Sequence, residues 1–137
     1  MTVLADSGCL YAMVHRDDAW HERTRHWWEA NAEPILVPVT VIPEVTYMLA
    51  RRLGVHAEQG FVRALASGEL PIESIEGADI ARAADLIGVY ADLPLGFVDA
   101  SIVAMAERLD VTTILTTDRR DFGVVRPAHC ERLKLVP

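Results

Sequence analysis

Short apolar runs alternate along the chain with longer stretches in which apolar residues recur at helical spacing. Runs at 2–5, 35–38, 70–75 and 112–116 have the length of buried strands, and 124–125 and 133–136 are candidate last strands. Helices are predicted over 9–14, from Asp17 or Asp18 through Trp28, from Thr40 to about Leu53, and over 56–67, 78–90 and 98–109. Because strands separated by helices require right-handed crossovers, the pattern predicts an α/β fold: three α/β/α layers, a mainly parallel central sheet and one domain over 1–137.

Two helices have candidate capping residues, and one of these helices carries an aromatic stripe. We expect Asp17 or Asp18 to cap the second helix and Thr40 to cap the third. The stripe favours core or an oligomer surface over a base-stacking platform, and consists of Trp20, Thr24, Trp27 and Trp28. His21 and His26 are five residues apart, whereas a zinc-protease helix needs four, so both are expected at the surface.

The size and composition of the chain limit its class. Its 137 residues are 51% hydrophobic, enough to bury a core without disulfides. No apolar run is long enough for a membrane-spanning helix, and the first residues lack the basic stretch of a secretory signal. Cys9 and Cys130 are too few for a disulfide framework, although a pairing of the two stays open. We therefore expect a cytoplasmic protein with no membrane partner.

The charge of the chain is strongly acidic. Its 20 acidic and 13 basic residues give a formal net charge of −7, so by charge alone it binds nucleic acid poorly. Lys134 is the one lysine among the basic residues. The arginines suit contacts to phosphate, and a GC-rich genome explains the same bias equally well. The acidity becomes useful if several carboxylates gather to hold a cation.

Four carboxylates stand at positions that a parallel sheet brings together. Asp6 and Asp118 follow two predicted strands, and Glu44 and Asp99 stand in the first turns of helices. Ligands bind beyond the carboxyl ends of strands in such sheets, so we expect these acids to meet at one edge. Crowded carboxylates must take up protons, spread out or bind a cation, and oxygen ligands select Mg²⁺ or Mn²⁺.

Each acid also has a simpler interpretation, as a cap, a first-turn charge, a turn residue or a solvated residue. Two further acids are less clear. Asp92 lies in a loop with proline and glycine and is expected to be a turn residue. Asp121 lies one helical turn after Asp118, where it would be an outer ligand or a cap.

The arrangement of these acids resembles PIN-domain ribonucleases, and in particular VapC-type toxins of bacterial toxin–antitoxin pairs. The matching segments follow the family's order and span nearly the whole chain: VLADSG at 3–8, VPVTVIPEVTYML at 37–49, YADLPLGFVDASIVAMAERL at 90–109 and ILTTDRRDFGVVRP at 114–127. The family's acidic quartet falls on Asp6, Glu44, Asp99 and Asp118. Ser7 and Thr117 match supporting polar positions, and Asp121 matches a further acidic one.

The resemblance implies a magnesium- or manganese-dependent endoribonuclease that cleaves RNA with metal-activated water. Transfer RNA and ribosomal RNA both fit the family as substrates, and Arg119 and Arg120 beside Asp118 are the best candidates for RNA contacts. A homodimer and a small antitoxin protein are the implied partners. The antitoxin would cross an apolar groove and place a basic side chain in the acidic site.

Two alternatives keep the fold but change the chemistry. One is a PIN-like module that binds RNA or protein without cleaving it. The other is an aspartate phosphoacceptor domain, which needs a lysine near a later strand end, whereas Lys134 lies almost at the end of the chain. No GxSxG, GxGxxG or Walker A sequence is present, so nucleophile-elbow hydrolases, dinucleotide-binding proteins and P-loop proteins have no support.

Overall fold

A computed structural model describes residues 1–137 and shows a five-stranded, all-parallel sheet surrounded by seven helices. The strands are β1 (Val3–Ala5), β2 (Ile35–Pro38), β3 (Ile72–Glu73), β4 (Thr113–Leu115) and β5 (Lys134–Val136). The helices are α1 (Ser7–Val14), α2 (His21–Ala30), α3 (Ile42–Arg52), α4 (Val55–Ser67), α5 (Gly77–Val89), α6 (Phe97–Leu109) and α7 (Arg119–Val124). The predicted α/β architecture with a parallel sheet is confirmed.

The order of the strands determines where a ligand site can form. The order is β3-β2-β1-β4-β5, so the chain moves outward from β1 to β3 and then returns to add β4 and β5 on the other side. Right-handed crossovers therefore place α1 to α4 on one face of the sheet and α5 to α7 on the other. The direction reverses between β1 and β4, which is where open α/β sheets form a crevice beyond the strand ends.

Apolar burial on both faces of the sheet holds the layers together. Leu4, Ile114 and Leu115 on the central strands are completely buried. Val45 and Leu49 on α3, and Ile102 and Met105 on α6, are also fully buried. Strands covered on both faces carry continuous apolar runs, which is the pattern that the sequence shows for β1 and β4.

Ion pairs join β3, α5 and α6 away from the carboxyl edge of β1. Arg108 on α6 donates from Nε to both carboxylate oxygens of the buried Asp79, at 3.0 and 3.1 Å, and from a terminal nitrogen to Glu73 at 3.2 Å. Asp79 in turn accepts a hydrogen bond from the backbone N–H of Glu76, which completes a capping box at the start of α5. These contacts hold α6 against α5 and β3, and so they also fix the position of the first turn of α6.

Several local predictions are wrong because tertiary contacts compete for the side chains. Thr40 does not cap a helix; it lies in a 3₁₀ turn over Val39–Val41, and its hydroxyl bonds Ser101 on α6 at 2.7 Å. Asp18 accepts from the backbone N–H of Trp20 and so stabilises the turn before α2 instead of capping that helix. Val124 ends α7 and forms no strand with Val125.

On α2 the aromatic stripe packs as predicted, but one of the two histidines does not lie where the prediction placed it. Thr24 is buried, and Trp27 and Trp28 pack against the core, as expected for a core-facing stripe. His21 is buried instead of exposed, because its Nδ1 bonds the Ala12 carbonyl at 2.6 Å. None of the helices is both long and apolar enough to cross a membrane.

Candidate active site

Asp6 is held at the carboxyl end of β1 by hydrogen bonds to both of its carboxylate oxygens. Its Oδ1 accepts from the Ser7 backbone N–H at 2.7 Å, which caps α1, and its Oδ2 accepts from the Thr116 hydroxyl at 2.9 Å. The Asp6 backbone N–H donates to the Leu115 carbonyl at 2.8 Å. Asp6 therefore lies against the end of β4, in the crevice that the strand order predicts.

Thr116 connects the two strand-end acids, and sequence analysis missed it. This completely buried residue donates its hydroxyl to Asp6, and its oxygen accepts from the backbone N–H of Asp118 at 2.9 Å. Asp118 then caps α7, since its Oδ1 accepts from the backbone N–H groups of Arg120 and Asp121 at 3.1 and 3.0 Å. The sequence did contain a signal for this role, because Thr116 stands two residues before Asp118. A threonine hydroxyl commonly accepts a hydrogen bond from the backbone N–H two residues later.

Asp99 enters the same crevice from the first turn of α6. Its oxygens accept no hydrogen bond from the protein, unlike those of Asp6 and Asp118. Carboxylate oxygens of Asp99, Asp118 and Asp121 lie within 4.8 Å of one another, which brings Asp121 closer to the centre than the sequence indicated. Asp6 is outside this tightest group, yet its charge acts strongly on Asp99.

The acids raise one another's pKa values. Burial and then the charges of Asp6, Asp118, Asp121 and Glu44 raise the pKa of Asp99 to about 7. Burial raises the pKa of Asp6 against the lowering effect of its hydrogen bonds from Thr116 and Ser7, and the charges of Glu44 and Asp118 add smaller increases. The pKa of Asp121 is raised by desolvation and then by Asp118. The ionised forms of these acids are therefore disfavoured by burial and by one another's negative charge.

The remaining predicted residues lie at different distances from this centre. Glu44 is an exposed residue of α3 whose charge reaches both Asp6 and Asp99. Ser7 places its hydroxyl 3.4 Å from Asp6 Oδ1, and Asp92 is exposed in the turn before α6. Arg119 and Arg120 lie on the surface. Desolvation and Asp118 raise the pKa of Asp121, and Arg120 lowers it by a smaller amount. The Arg119 side chain contacts Pro137 and the Trp20 ring.

Thr117 lies directly over Gly8 and leaves no room for a side chain there. A Cβ added to Gly8 would lie 2.3 Å from the Thr117 hydroxyl oxygen, so any larger residue must displace α1 or Thr117. Because Asp6 is fixed to the start of α1, the small size of Gly8 keeps β1 and β4 ends close together.

A divalent cation bound by oxygen ligands fits this arrangement. Three carboxylates present oxygens within 4.8 Å of one another, and no nitrogen or sulfur ligand accompanies them. Asp99 has both oxygens available, and burial followed by the charges of its acidic neighbours raises its pKa, so a nearby cation would favour its ionised form. Such hard oxygen sites suit Mg²⁺ or Mn²⁺. The site does not fit a phosphoacceptor domain, because Lys134 pairs with Thr113 at the opposite, amino end of β4.

Comparisons with known proteins agree on one family. The model of the PIN domain family matches residues 3–126. The chain is 32% identical over 135 residues to ribonuclease VapC26 of Mycobacterium tuberculosis, with 98% of this chain and 100% of the relative covered.

Solved structures share the fold at low sequence identity. The Mycobacterium tuberculosis toxin VapC20, which cleaves the sarcin–ricin loop, aligns with a TM-score of 0.84 at 19% identity, over 94% of this chain and 98% of the toxin. A toxin–antitoxin complex from Klebsiella pneumoniae aligns with a TM-score of 0.68 at 22% identity, over 90% of this chain and 92% of its matched chain.

Replacing Gly8 with alanine should destabilise the protein by about 1–3 kcal/mol, because the new methyl group overlaps the Thr117 hydroxyl. Thr117→Ala removes that oxygen and should recover most of the loss in the double variant, as measured by urea unfolding. Gly60→Ala in the interior of α4 is the matched control: nothing lies within 4 Å of its Cβ, so it should stabilise the protein. Equal losses in the single and double Gly8 variants would contradict this contact.

The metal-free protein should lose stability as pH rises from about 4 through about 7, because folded Asp99 retains a proton that the unfolded chain releases. Added Mg²⁺ should raise the melting temperature more at pH 8 than at pH 6, since the cation competes with that proton. Asp99→Asn should reduce both effects, whereas the exposed Asp85→Asn should not. A magnesium effect that is the same in wild type and Asp99→Asn would exclude Asp99 from the cation site.

Proposed function

Because this chain belongs to the PIN-domain family and, within it, to the VapC ribonucleases, we propose that it is a metal-dependent endoribonuclease that acts as the toxin of a toxin–antitoxin pair. The observation that carries the proposal is the convergence of Asp6, Asp99 and Asp118 at the β1–β4 crevice. A cytoplasmic location follows from an RNA substrate, and transfer RNA and ribosomal RNA are both candidates.

The metal would be Mg²⁺ or Mn²⁺, held by Asp99 and Asp118 with Asp6 and Asp121 beside them. When bound, such an ion activates water and neutralises charge on the scissile phosphate. Asp118 presents a preset geometry, because one of its oxygens is fixed by the first turn of α7 and the other is free of protein hydrogen bonds. Asp99 must give up its proton near neutral pH before it can act as a ligand.

The other residues of the site orient these acids. Thr116 holds Asp6 and Asp118 at a fixed separation, and the Thr40–Ser101 hydrogen bond joins the turn before α3 to α6. That second contact keeps Glu44 of α3 near Asp99 of α6. Glu44 is exposed and is suited to act as a further ligand or to orient a water at the open side of the crevice.

The proposed partner is a small antitoxin protein, as in the toxin–antitoxin complex that shares this fold. An apolar cavity of about 200 Å³ opens between α1, α2 and α4, and is suited to an apolar side chain from such a protein. It is lined mainly by Leu10, Met13, Val14, Trp28, Phe61 and Leu70. The family resemblance also suggests a homodimer, for which Val89, Phe97 and Val124 offer exposed apolar surface.

Asp6→Asn and Asp99→Asn should each reduce cleavage of a mixture of transfer and ribosomal RNA by about 100-fold or more, while the protein stays folded. Asparagine at position 6 keeps one acceptor oxygen, for the Ser7 N–H, and loses the acceptor for the Thr116 hydroxyl, and each change removes a repelling charge. Gel analysis with Mg²⁺, with and without EDTA, measures the effect, and Asp85→Asn is the control. Full cleavage by Asp99→Asn, or cleavage that survives EDTA, would contradict metal-dependent catalysis at these acids, and no cleavage by the wild-type protein would favour a silent binding module.

Val14→Glu should weaken binding of the antitoxin by about tenfold or more, because it places a charge at the apolar cavity. The probe is the small protein encoded beside this gene, and its affinity is measured by calorimetry. RNA cleavage without the antitoxin should stay unchanged, and Val55→Glu on α4 is the matched control at an exposed valine outside the cavity. Equal affinity of Val14→Glu and wild type would place the antitoxin elsewhere.

A further inference from the structure

Two arginines lie over one tryptophan at the rim of the candidate site. The guanidinium carbon of Arg23 is 4.2 Å from the centre of the Trp20 ring, and that of Arg119 is 5.7 Å from it. Arg119 immediately follows Asp118, so this group begins one residue from the acids. Trp20 was expected in the buried stripe of its helix, but it stands just before α2 and remains partly exposed.

These two guanidinium groups keep their charge available. Arg25, Arg82 and Arg108 each bond side-chain carboxylates, whereas neither Arg23 nor Arg119 pairs with the carboxylate of a side chain. Arg119 donates one hydrogen bond to a main-chain oxygen of Pro137, the last residue of the sequence, so Arg23 is the less engaged of the two. The contact with an aromatic ring orders a guanidinium without neutralising it, and leaves its edge donors free.

The backbone around Trp20 fixes the position of the ring. Asp18 Oδ1 accepts from the Trp20 backbone N–H at 2.8 Å, and His21, the next residue, is anchored to α1 through the Ala12 carbonyl. Arg119 is held by the first turn of α7, whose amides bond Asp118. Trp20 and Arg119 therefore start from two separate backbone segments, the turn before α2 and the first turn of α7, that are both held in place. Binding a ligand here should cost little conformational entropy of the backbone.

Resting on the proposed nuclease function, we propose that Trp20, Arg23 and Arg119 form a subsite that binds the RNA backbone by its phosphates, next to the catalytic acids. An RNA approaching this protein meets a net charge of −7 and an acidic crevice, so cations at the rim must compensate. Guanidinium groups match phosphate oxygens in a bidentate geometry, and a partly exposed aromatic ring supports them. Of these three residues, Arg119 alone was expected from the sequence to contact RNA, together with Arg120; Trp20 was assigned to a core or oligomer stripe, and Arg23 was not singled out.

Steady-state cleavage of a short single-stranded RNA in Mg²⁺, over a series of KCl concentrations, tests this subsite. Arg23→Gln and Arg119→Gln should each raise KM about tenfold and change kcat by less than about twofold. Each should also make the slope of log kcat/KM against log salt about 0.7 less negative, because one phosphate contact is lost. Trp20→Leu should raise KM without a change in net charge, and Trp20→Phe should recover most of the affinity.

Arg25→Gln is the matched control, because it removes the same charge from the same helix but from an arginine paired with Glu22 and Glu29. If Arg23→Gln and Arg119→Gln behave like Arg25→Gln, the subsite is wrong. Unchanged RNA kinetics with weakened antitoxin binding would also overturn it and assign the group to the protein partner. The nuclease proposal is judged separately, since it fails if Asp99→Asn still cleaves this RNA or if cleavage survives EDTA.

Discussion

Repulsion between carboxylates at the end of β1 and β4 is the constraint on which the site depends. Three acids have oxygens within 4.8 Å of one another. At an effective dielectric constant near 20, each ionised pair at that distance repels by about 3 kcal/mol before screening by water and salt. Three such pairs approach the whole stability of a small domain, so the fold needs either protons or a cation there. Burial and, after it, the charges of the neighbouring acids raise the pKa of Asp99.

The fold tolerates the repulsion because neighbouring groups hold each acid in place. The Thr116 hydroxyl spans Asp6 and Asp118, backbone amides of α1 and α7 stabilise their ionised forms, and Thr40 ties α6 to the turn before α3. None of these contacts neutralises the charge. The result is a preorganised site that is suited to a divalent cation, and the arginines that pair with no side-chain carboxylate lie at its rim instead of in its centre.

Much of this could be predicted from the sequence, since parallel sheets follow strict rules. The apolar runs at β1 and β4 and the helices between strands specify the sheet, and Asp6 and Asp118 then follow strand ends by position alone. The contacts between distant segments could not be predicted: Thr40 looked like a local cap because its partner Ser101 is 61 residues away. Trp20 was assigned to a stripe by periodicity, whereas a turn before α2 places it beside Arg119.

Anomalous X-ray diffraction from Mn²⁺-soaked crystals, recorded at the manganese edge, is the most direct test of the cation site. We predict a strong peak in direct contact with the carboxylates of Asp99 and Asp118, and no such peak in crystals of Asp99→Asn. An ordered crevice without manganese density, or density only at other acidic residues, would contradict the claim that these acids converge to hold a divalent cation.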